Sequence, residues 1–454
     1  MHFLGIDIGT SAVKAVLVNE AQAVVAQASA PIATRQPRPG WSEQEPEDWW
    51  RATERVVGHL YNEATAAFLD TRAIGLSGQM HGAVILDAGG LPVRPAMVWN
   101  DGRAVAECAV LTDAVPGLAE IAGVIAMPGF TAPKLMWLRT HEPENFARIR
   151  RVVLAKDFVR LRLTGEIATD TCDAAGTLIL DEARRDWSDA ILAAVGVARE
   201  QMPRLLEGNA VSGLLRPGIA ASWGLRHPVV VAAGGGDSAA GAVGIGAIDD
   251  GDSFLSLGTS AQIFVTRDRY EPKPATLIHA FAHVLPGSMV RAGRRCSTAR
   301  RSRLDRAGRR RGCRDVAGAS GGAVRGAGER DVPAVSRRRA DAAQTIRMRA
   351  ARLPGWSNAT SPLDLVQAVL DGVALSLADG QQAFGNAALS PLPMIGGGAR
   401  SRFWMRLISA AMGRPLLRVS GGDNGPAFGA ARLARMAVSG ETPEAVCTKP
   451  AWRR

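Results

Sequence analysis

One carboxylate in this chain, Asp237, follows three consecutive glycines, Gly234, Gly235 and Gly236, and these follow an apolar run from Pro228 to Ala233. The run reads as a buried strand. The glycines let the backbone turn sharply and approach a ligand closely. Ala239, Ala240 and Gly241 come next, so a close-packed helix can start there. A carboxylate at the mouth of a strand–glycine–helix turn is well placed to be a general base. The pattern equally fits an Asp that only caps a helix, and the turn alone does not separate the two.

Two further stretches carry chemistry. Residues 3–18 read as strand, tight turn, strand, with Thr10 and Ser11 in the turn, and residues 253–266 repeat the plan with Gly258, Thr259 and Ser260. Thr10 and Thr259 lie 249 residues apart. Two such hairpins, each leading one half of the chain, point to a duplicated architecture. A Gly-Thr-Ser turn is ordinary hairpin chemistry. It also offers backbone N–H groups and two hydroxyls to phosphate oxygens. A loop with Met80 and His81 and a late glycine run, Gly396, Gly397 and Gly398, complete the set. A nucleotide phosphate tail between two hairpins, with a carboxylate base nearby, describes phosphoryl transfer to a hydroxyl.

Several classes are excluded. The chain has no Walker A loop and no GxGxxG in a βαβ context, so P-loop and Rossmann readings fail. No HExxH occurs, and the seven histidines show no ligand spacing. The five cysteines are scattered without a CxxC pair, which fits a reducing compartment. No apolar run is long enough for a membrane span, and Met1 to Asp7 has no basic leader, so the expected location is the cytoplasm, with no membrane partner. At 454 residues two domains are expected. The net charge of +11 belongs to one segment: residues 291–358 hold 19 Arg against 5 Asp or Glu, so the remainder is mildly acidic. That segment lacks the interleaved aromatics of a single-strand nucleic-acid binder, so no nucleic-acid partner is expected.

The elements around these motifs alternate short apolar runs with amphipathic helices, as in an α/β protein. Residues 45–64 predict a helix opened by Pro46, and residues 73–77 a strand that delivers Met80 and His81 into a loop. Ser361 to Asp364 predicts a capping box for a helix to about Ala378. Met394 and Ile395 lead into the Gly396 turn, Ser401 caps a helix to about Met412, and a last glycine turn at 421–425 precedes a small-residue helix, 427–436.

Residues 5–11, 41–50, 77–82, 99–103, 127–138, 233–241, 256–260, 395–400 and 421–429 together resemble the FGGY family of carbohydrate kinases, over residues 1–290 and about 359–437. The stretch around Lys134 fits the family's first signature. The Gln79, Met80, His81 loop is similar to the branch that phosphorylates the pentulose D-xylulose. The resemblance implies a two-domain actin/hexokinase-like α/β fold with a ribonuclease-H-like core in each half and a central cleft. It divides the chain at 1–245, carrying sugar site and base, and 246–454, the nucleotide side. It implies ATP and Mg²⁺ as cofactors, a sugar as partner, and a monomer or homodimer. Asp237 would take the proton from the O5 hydroxyl, and Asp7 would act at the Mg²⁺–phosphate end. Met80, His81, Trp99 and Arg103 would belong to the sugar side, although Trp99 and Arg103 serve equally well as hairpin structure. Thr10, Ser11, Lys14, Gly258, Thr259 and Ser260 would serve the phosphates, and Gly396, Gly397, Gly398 and Ser401 the nucleotide. A kinase of another pentulose or polyol in the family remains the alternative.

The family pattern vanishes between about 291 and 358, where relatives carry an apolar helix and here Arg, Gly and Ala dominate. Such composition is what GC-rich DNA yields out of frame. A pair of compensating frameshifts, an irregular and exposed 291–358, a disrupted second domain and an inactive relative are the corresponding expectations. Residues 447–454 also depart from the helical tail of relatives.

Overall fold

A computed structural model describes residues 1–258, 260–297, 361–384, 391–419, 425–449 and 452–453. It divides into two compact units. The first comprises Met1–Asp252, Val265–Ala292 and Asn424–Pro450, and the second Ser253–Phe264, Gly293–Asp423 and Ala451–Arg454. Compactness thus does not follow chain order.

The first unit is built on a mixed sheet. His2–Ile8 pairs antiparallel with Ala12–Asn19, which pairs antiparallel with Val24–Pro31. On its other side His2–Ile8 runs parallel to Thr71–Gly78, and Thr71–Gly78 runs parallel to Val230–Ala232 and Gly235–Gly236. The edge strand Val211–Leu214 is antiparallel to Val230–Ala232. Both faces are covered, so the central strands read as near-continuous apolar runs. One face packs on the helix Pro46–Glu63 through Trp49, Val56 and Leu60, with Phe68 and Phe158 in the same cluster. Pro46 stands at its first turn as the sequence predicts.

The opposite face receives the helix Gly425–Ser439, whose buried residues include Ala427, Ala430, Ala431 and Ala434. The approach is so close that glycine is required in the strands. A Cβ at Gly75 would lie 1.8 Å from the Ala430 carbonyl oxygen, and one at Gly5 1.9 Å from that of Ala427. Those are backbone atoms, which cannot swing aside. Gly75→Ala is therefore expected to cost about 3 kcal/mol, a loss of roughly 5 °C or more in Tm by scanning calorimetry. Gly58→Ala, inside the first helix with nothing within 4 Å, is the control and should stabilise slightly.

In the second unit Ser253–Leu257 runs parallel to Leu392–Ile395, and that strand runs parallel to Leu416–Val419. Helices Pro362–Ala383 and Arg402–Met412 belong to the same unit. The capping box is present: the Asp364 N–H donates to Ser361 Oγ at 3.2 Å, and Asp364 Oδ2 accepts from the Ser361 N–H at 2.9 Å.

The expectation of an irregular segment from residue 291 needs correction. Met289–Ser297 is a strand, and its residues up to Ala292 pair with His279–Ala282. Ala292 is buried there, so this end of the Arg-rich stretch still supplies a core side chain. Residues 298–360, which hold the rest of it, and the glycine turn at 421–424 lie outside the described residues. No helix among the described residues is long and apolar enough to cross a membrane.

Candidate active site

In the first unit, strand register assembles the chemistry. Asp7 stands opposite Ser77, and Ser77 opposite Gly235; one step on, Ile8, Gly78 and Gly236 form the next row. The residues after these rows, at the carboxyl ends of parallel strands, are Gly9 and Thr10, Gln79 to His81, and Asp237. That end of an open parallel sheet is where α/β proteins bind ligands.

Asp7 is buried, and Ser77 Oγ donates to its Oδ1 at 2.9 Å. Burial first, and the neighbouring Asp237 carboxylate second, push its carboxyl up to about 6, against the pull of Ser77 and Lys14. Lys14 faces Asp7 across the antiparallel pair. Asp237 is the first residue of the helix Asp237–Gly244. Gly236 is the N-cap and no side chain caps the helix, so Asp237 is not a capping residue. Its half-buried carboxylate accepts from Ser238 Oγ at 3.2 Å. Two carboxylates thus share one small region. They fit a divalent cation that neutralises both, of the Mg²⁺ type that is held through one or two carboxylates plus substrate phosphates.

Met80 and His81 are buried beside the Asp237 turn. A Cβ on Gly236 would lie 2.7 Å from Met80 Sδ, and one on Gly176 2.8 Å from His81 Nδ1. Because a carbonyl only accepts, His81 Nδ1 must carry the hydrogen in its 2.7 Å bond to the Gly176 oxygen. The Phe130 ring meets the imidazole edge-on with centroids 4.6 Å apart. His81 also has φ of +69°, a conformation uncommon outside glycine and concentrated at functional loops. Lys134, fully buried, fastens this loop by donating to the carbonyls of His81, Val98 and Gly129 at 2.8, 3.0 and 2.7 Å. Burial pushes its ammonium down to about 7. Three acceptors need three N–H bonds, so the protonated form is the one that holds all three carbonyls.

Gln44 ties the hairpin to the loop: its Nε2 donates to the Thr10 carbonyl at 2.6 Å, and its Oε1 accepts from Gln79 Nε2 at 2.7 Å and Trp49 Nε1 at 2.9 Å. Trp99 Nε1 donates to Thr10 Oγ1 at 2.9 Å, so the indole stands at the hairpin turn. Ser11 is exposed. The Arg103 guanidinium is 1% exposed, ion-paired with Glu43 at 2.6 Å and Asp101 at 2.7 Å, and laid over Trp41 with its Cζ 3.6 Å from the ring centroid. Its structural work is to lock the 99–103 turn.

In the second unit the glycine run meets the second hairpin. Gly396 has φ of +89°, and a Cβ there would lie 2.6 Å from the Leu257 carbonyl oxygen and 3.4 Å from the Gly258 nitrogen. A Cβ on Gly398 would lie 2.4 Å from Leu257 Cδ2, while Gly397 has nothing within 4 Å. Gly258 is exposed and Ser260 begins the strand Ser260–Arg267; Thr259 lies outside the described residues. Ser401 Oγ accepts the Trp404 N–H at 3.2 Å, so this hydroxyl caps the helix Arg402–Met412.

Sequence reasoning assigned no role to Gln44, Ser77 or Phe130, and to Gln79 only a place in the loop that points to the D-xylulose branch. A glutamine at the end of a Trp-Ser-Glu-Gln run ahead of a helix gives no hint that its amide will bridge residues 10, 49 and 79.

This geometry is that of a phosphotransferase of the two-domain sugar kinase fold, and comparison with known proteins agrees. The family descriptions "FGGY family of carbohydrate kinases, N-terminal domain" and "C-terminal domain" match residues 2–244 and 254–438. The xylulose kinase of Escherichia coli K12 is 42% identical over 445 residues, covering 97% of this chain and 90% of that protein. That of Bacillus subtilis 168 is 34% identical over 442 residues, covering 95% and 87%. The crystal structure of a "xyloylose kinase" from Brucella ovis superposes with a TM-score of 0.86 at 38% identity, covering 100% of this chain and 94% of that one. The chain belongs to the FGGY family of carbohydrate kinases, whose chemistry makes ATP the phosphoryl donor.

Proposed function

We propose that this chain transfers the γ-phosphoryl group of ATP to the O5 hydroxyl of D-xylulose, giving D-xylulose 5-phosphate and ADP. The observation that carries the reading is the Asp237 carboxylate, which caps no helix and directly follows Gly236, the glycine against which Met80 packs. Asp237 accepts the hydroxyl proton as the O5–phosphorus bond forms and the bond to the ADP oxygen breaks. His81, oriented by its bond to Gly176, lines the sugar side of the site, and Met80 supplies an apolar wall. Asp7, aided by the phosphates, would hold Mg²⁺, which supplies charge neutralisation on the transferred group. Thr10, Ser11, Lys14 and the Gly258 hairpin serve the phosphates, and Gly396 to Gly398 approach the nucleotide without side chains in the way.

A coupled ADP-release assay on the purified chain tests this, with D-xylulose, other pentuloses and polyols as acceptors. D-xylulose should give the highest kcat/KM. A higher value for another pentulose or polyol would reassign the substrate, and no sugar-dependent release would show that the Arg-rich segment abolishes activity. Within this reading Met80→Ala and His81→Ala should raise the sugar KM by roughly 10- to 100-fold, the worth of one or two lost contacts, and leave the ATP KM unchanged. A change confined to ATP would assign the loop to the nucleotide.

A further inference from the structure

Below the paired ends Gly78 and Gly236 lies a buried charge cluster that the chemistry above does not use. Lys156, Asp157 and Arg160 come from the helix Ala155–Thr164, Asp170 ends the strand Ala168–Asp170, and Asp173 sits in the short helix Thr171–Ala175. Lys156 Nζ lies 2.6 Å from Asp157, 2.7 Å from Asp170 and 3.0 Å from Asp173, and all four side chains are wholly buried. Arg160 pairs with Asp157 at 2.5 Å and donates to the carbonyls of Ala168 and Ala233. Removing so many charges from water is costly, so a purely structural need would be met more cheaply by apolar side chains of similar volume.

The connections of the cluster point to the site. Ala233 is the residue before the glycines that lead to Asp237. A Cβ on Gly78 would lie 3.2 Å from Lys156 Cβ, so the lysine stem runs directly under the end of that strand. The Thr171–Ala175 helix touches both halves of the sugar side: it packs on the Gly235–Gly236 strand that leads into Asp237, and the Gly176 carbonyl at its C-terminal end holds His81. Lys156 grips this helix at Asp170, its N-cap, and at Asp173.

We propose that Lys156 is a positioning residue for the phosphoryl transfer: through Asp170, Asp173 and the Thr171–Ala175 helix it sets the separation between the His81 loop and the Asp237 turn. The inference rests on the sugar-kinase reading. A misplacement of about 1 Å between acceptor and base costs on the order of 10²-fold in rate.

The test compares the intact protein with the triple variant Lys156→Met, Asp170→Asn, Asp173→Asn, which leaves Arg160 and Asp157 as a matched pair and keeps an Asn at the N-cap position. Expected are a cooperative melting transition, an ATP KM within about twofold of the parent, a kcat lower by roughly 10²-fold and a raised sugar KM. A folded triple variant with parental kcat and sugar KM overturns the proposal. Should the triple variant not fold, the milder Asp173→Asn decides: with one of the three carboxylates that hold Lys156 removed, kcat should fall about tenfold and the ATP KM should stay unchanged. Parental kcat in Asp173→Asn would then overturn it. All ratios are taken with whichever acceptor the parent phosphorylates best, so a wrong assignment of D-xylulose is read separately from a failure of the positioning role.

Discussion

Asp237→Asn is expected to lower kcat by about 10³-fold, within the range general bases contribute, while the ATP KM holds and the melting temperature does not fall. Asparagine keeps the size and the hydrogen-bond acceptor that Ser238 Oγ meets at 3.2 Å. It cannot take a proton at neutral pH. The change does not uncap a helix, because Gly236 is the N-cap and the Asp237 side chain makes no capping bond. It also removes the like charge that raises Asp7, so folding stability near pH 7 should rise slightly rather than fall. Steady-state kinetics with ATP and D-xylulose, alongside calorimetry, check both halves. Activity within tenfold of the parent would remove Asp237 from the role of base.

Asp7→Asn should combine a comparable loss of activity with a gain in stability. The folded protein holds the Asp7 carboxyl at about 6, chiefly by burial, against an unfolded value near ~4. The folded state therefore binds this proton more tightly than the unfolded state. The neutral carboxyl favours folding fully below about pH 4, and that advantage is lost as pH rises through about 6. Above that, carrying the charge costs the fold on the order of 3 kcal/mol, which asparagine avoids while still accepting from Ser77 Oγ. The variant should thus melt higher than the parent at pH 7 to 8, and the difference should shrink toward pH 4. In the parent, activity should fall on the acid side with a midpoint near 6 as Asp7 is protonated, and raising Mg²⁺ should move that midpoint down. A variant less stable than the parent at pH 8 would show that the charged carboxylate is held by favourable partners, not tolerated for function.

Sequence alone determined the local parts of this protein and singled out the candidate chemistry-bearing positions. Both hairpins, the Pro46 helix, the Ser361 capping box and the Ser401 cap follow from patterns only a few residues long. So does the glycine turn before Asp237, because turn and cap preferences act between near neighbours. Met80 and His81 were legible only through a motif, and nothing local announces that His81 adopts positive φ and hangs from the Gly176 carbonyl. Gly5 and Gly75 look like strand weak points in sequence. Their reason is a helix more than 350 residues further along the chain that lies on their backbone. The two roles open to Asp237, helix cap or unencumbered carboxylate, were separated only when Gly236 took the cap. The Lys156 cluster was invisible for the same reason: Lys156, Asp173 and the Ala233 carbonyl are distant in the chain, and only burial brings them together. Residue types state which interactions are possible, whereas the packing of one apolar surface on another decides which distant partners meet and which charges must be satisfied without water.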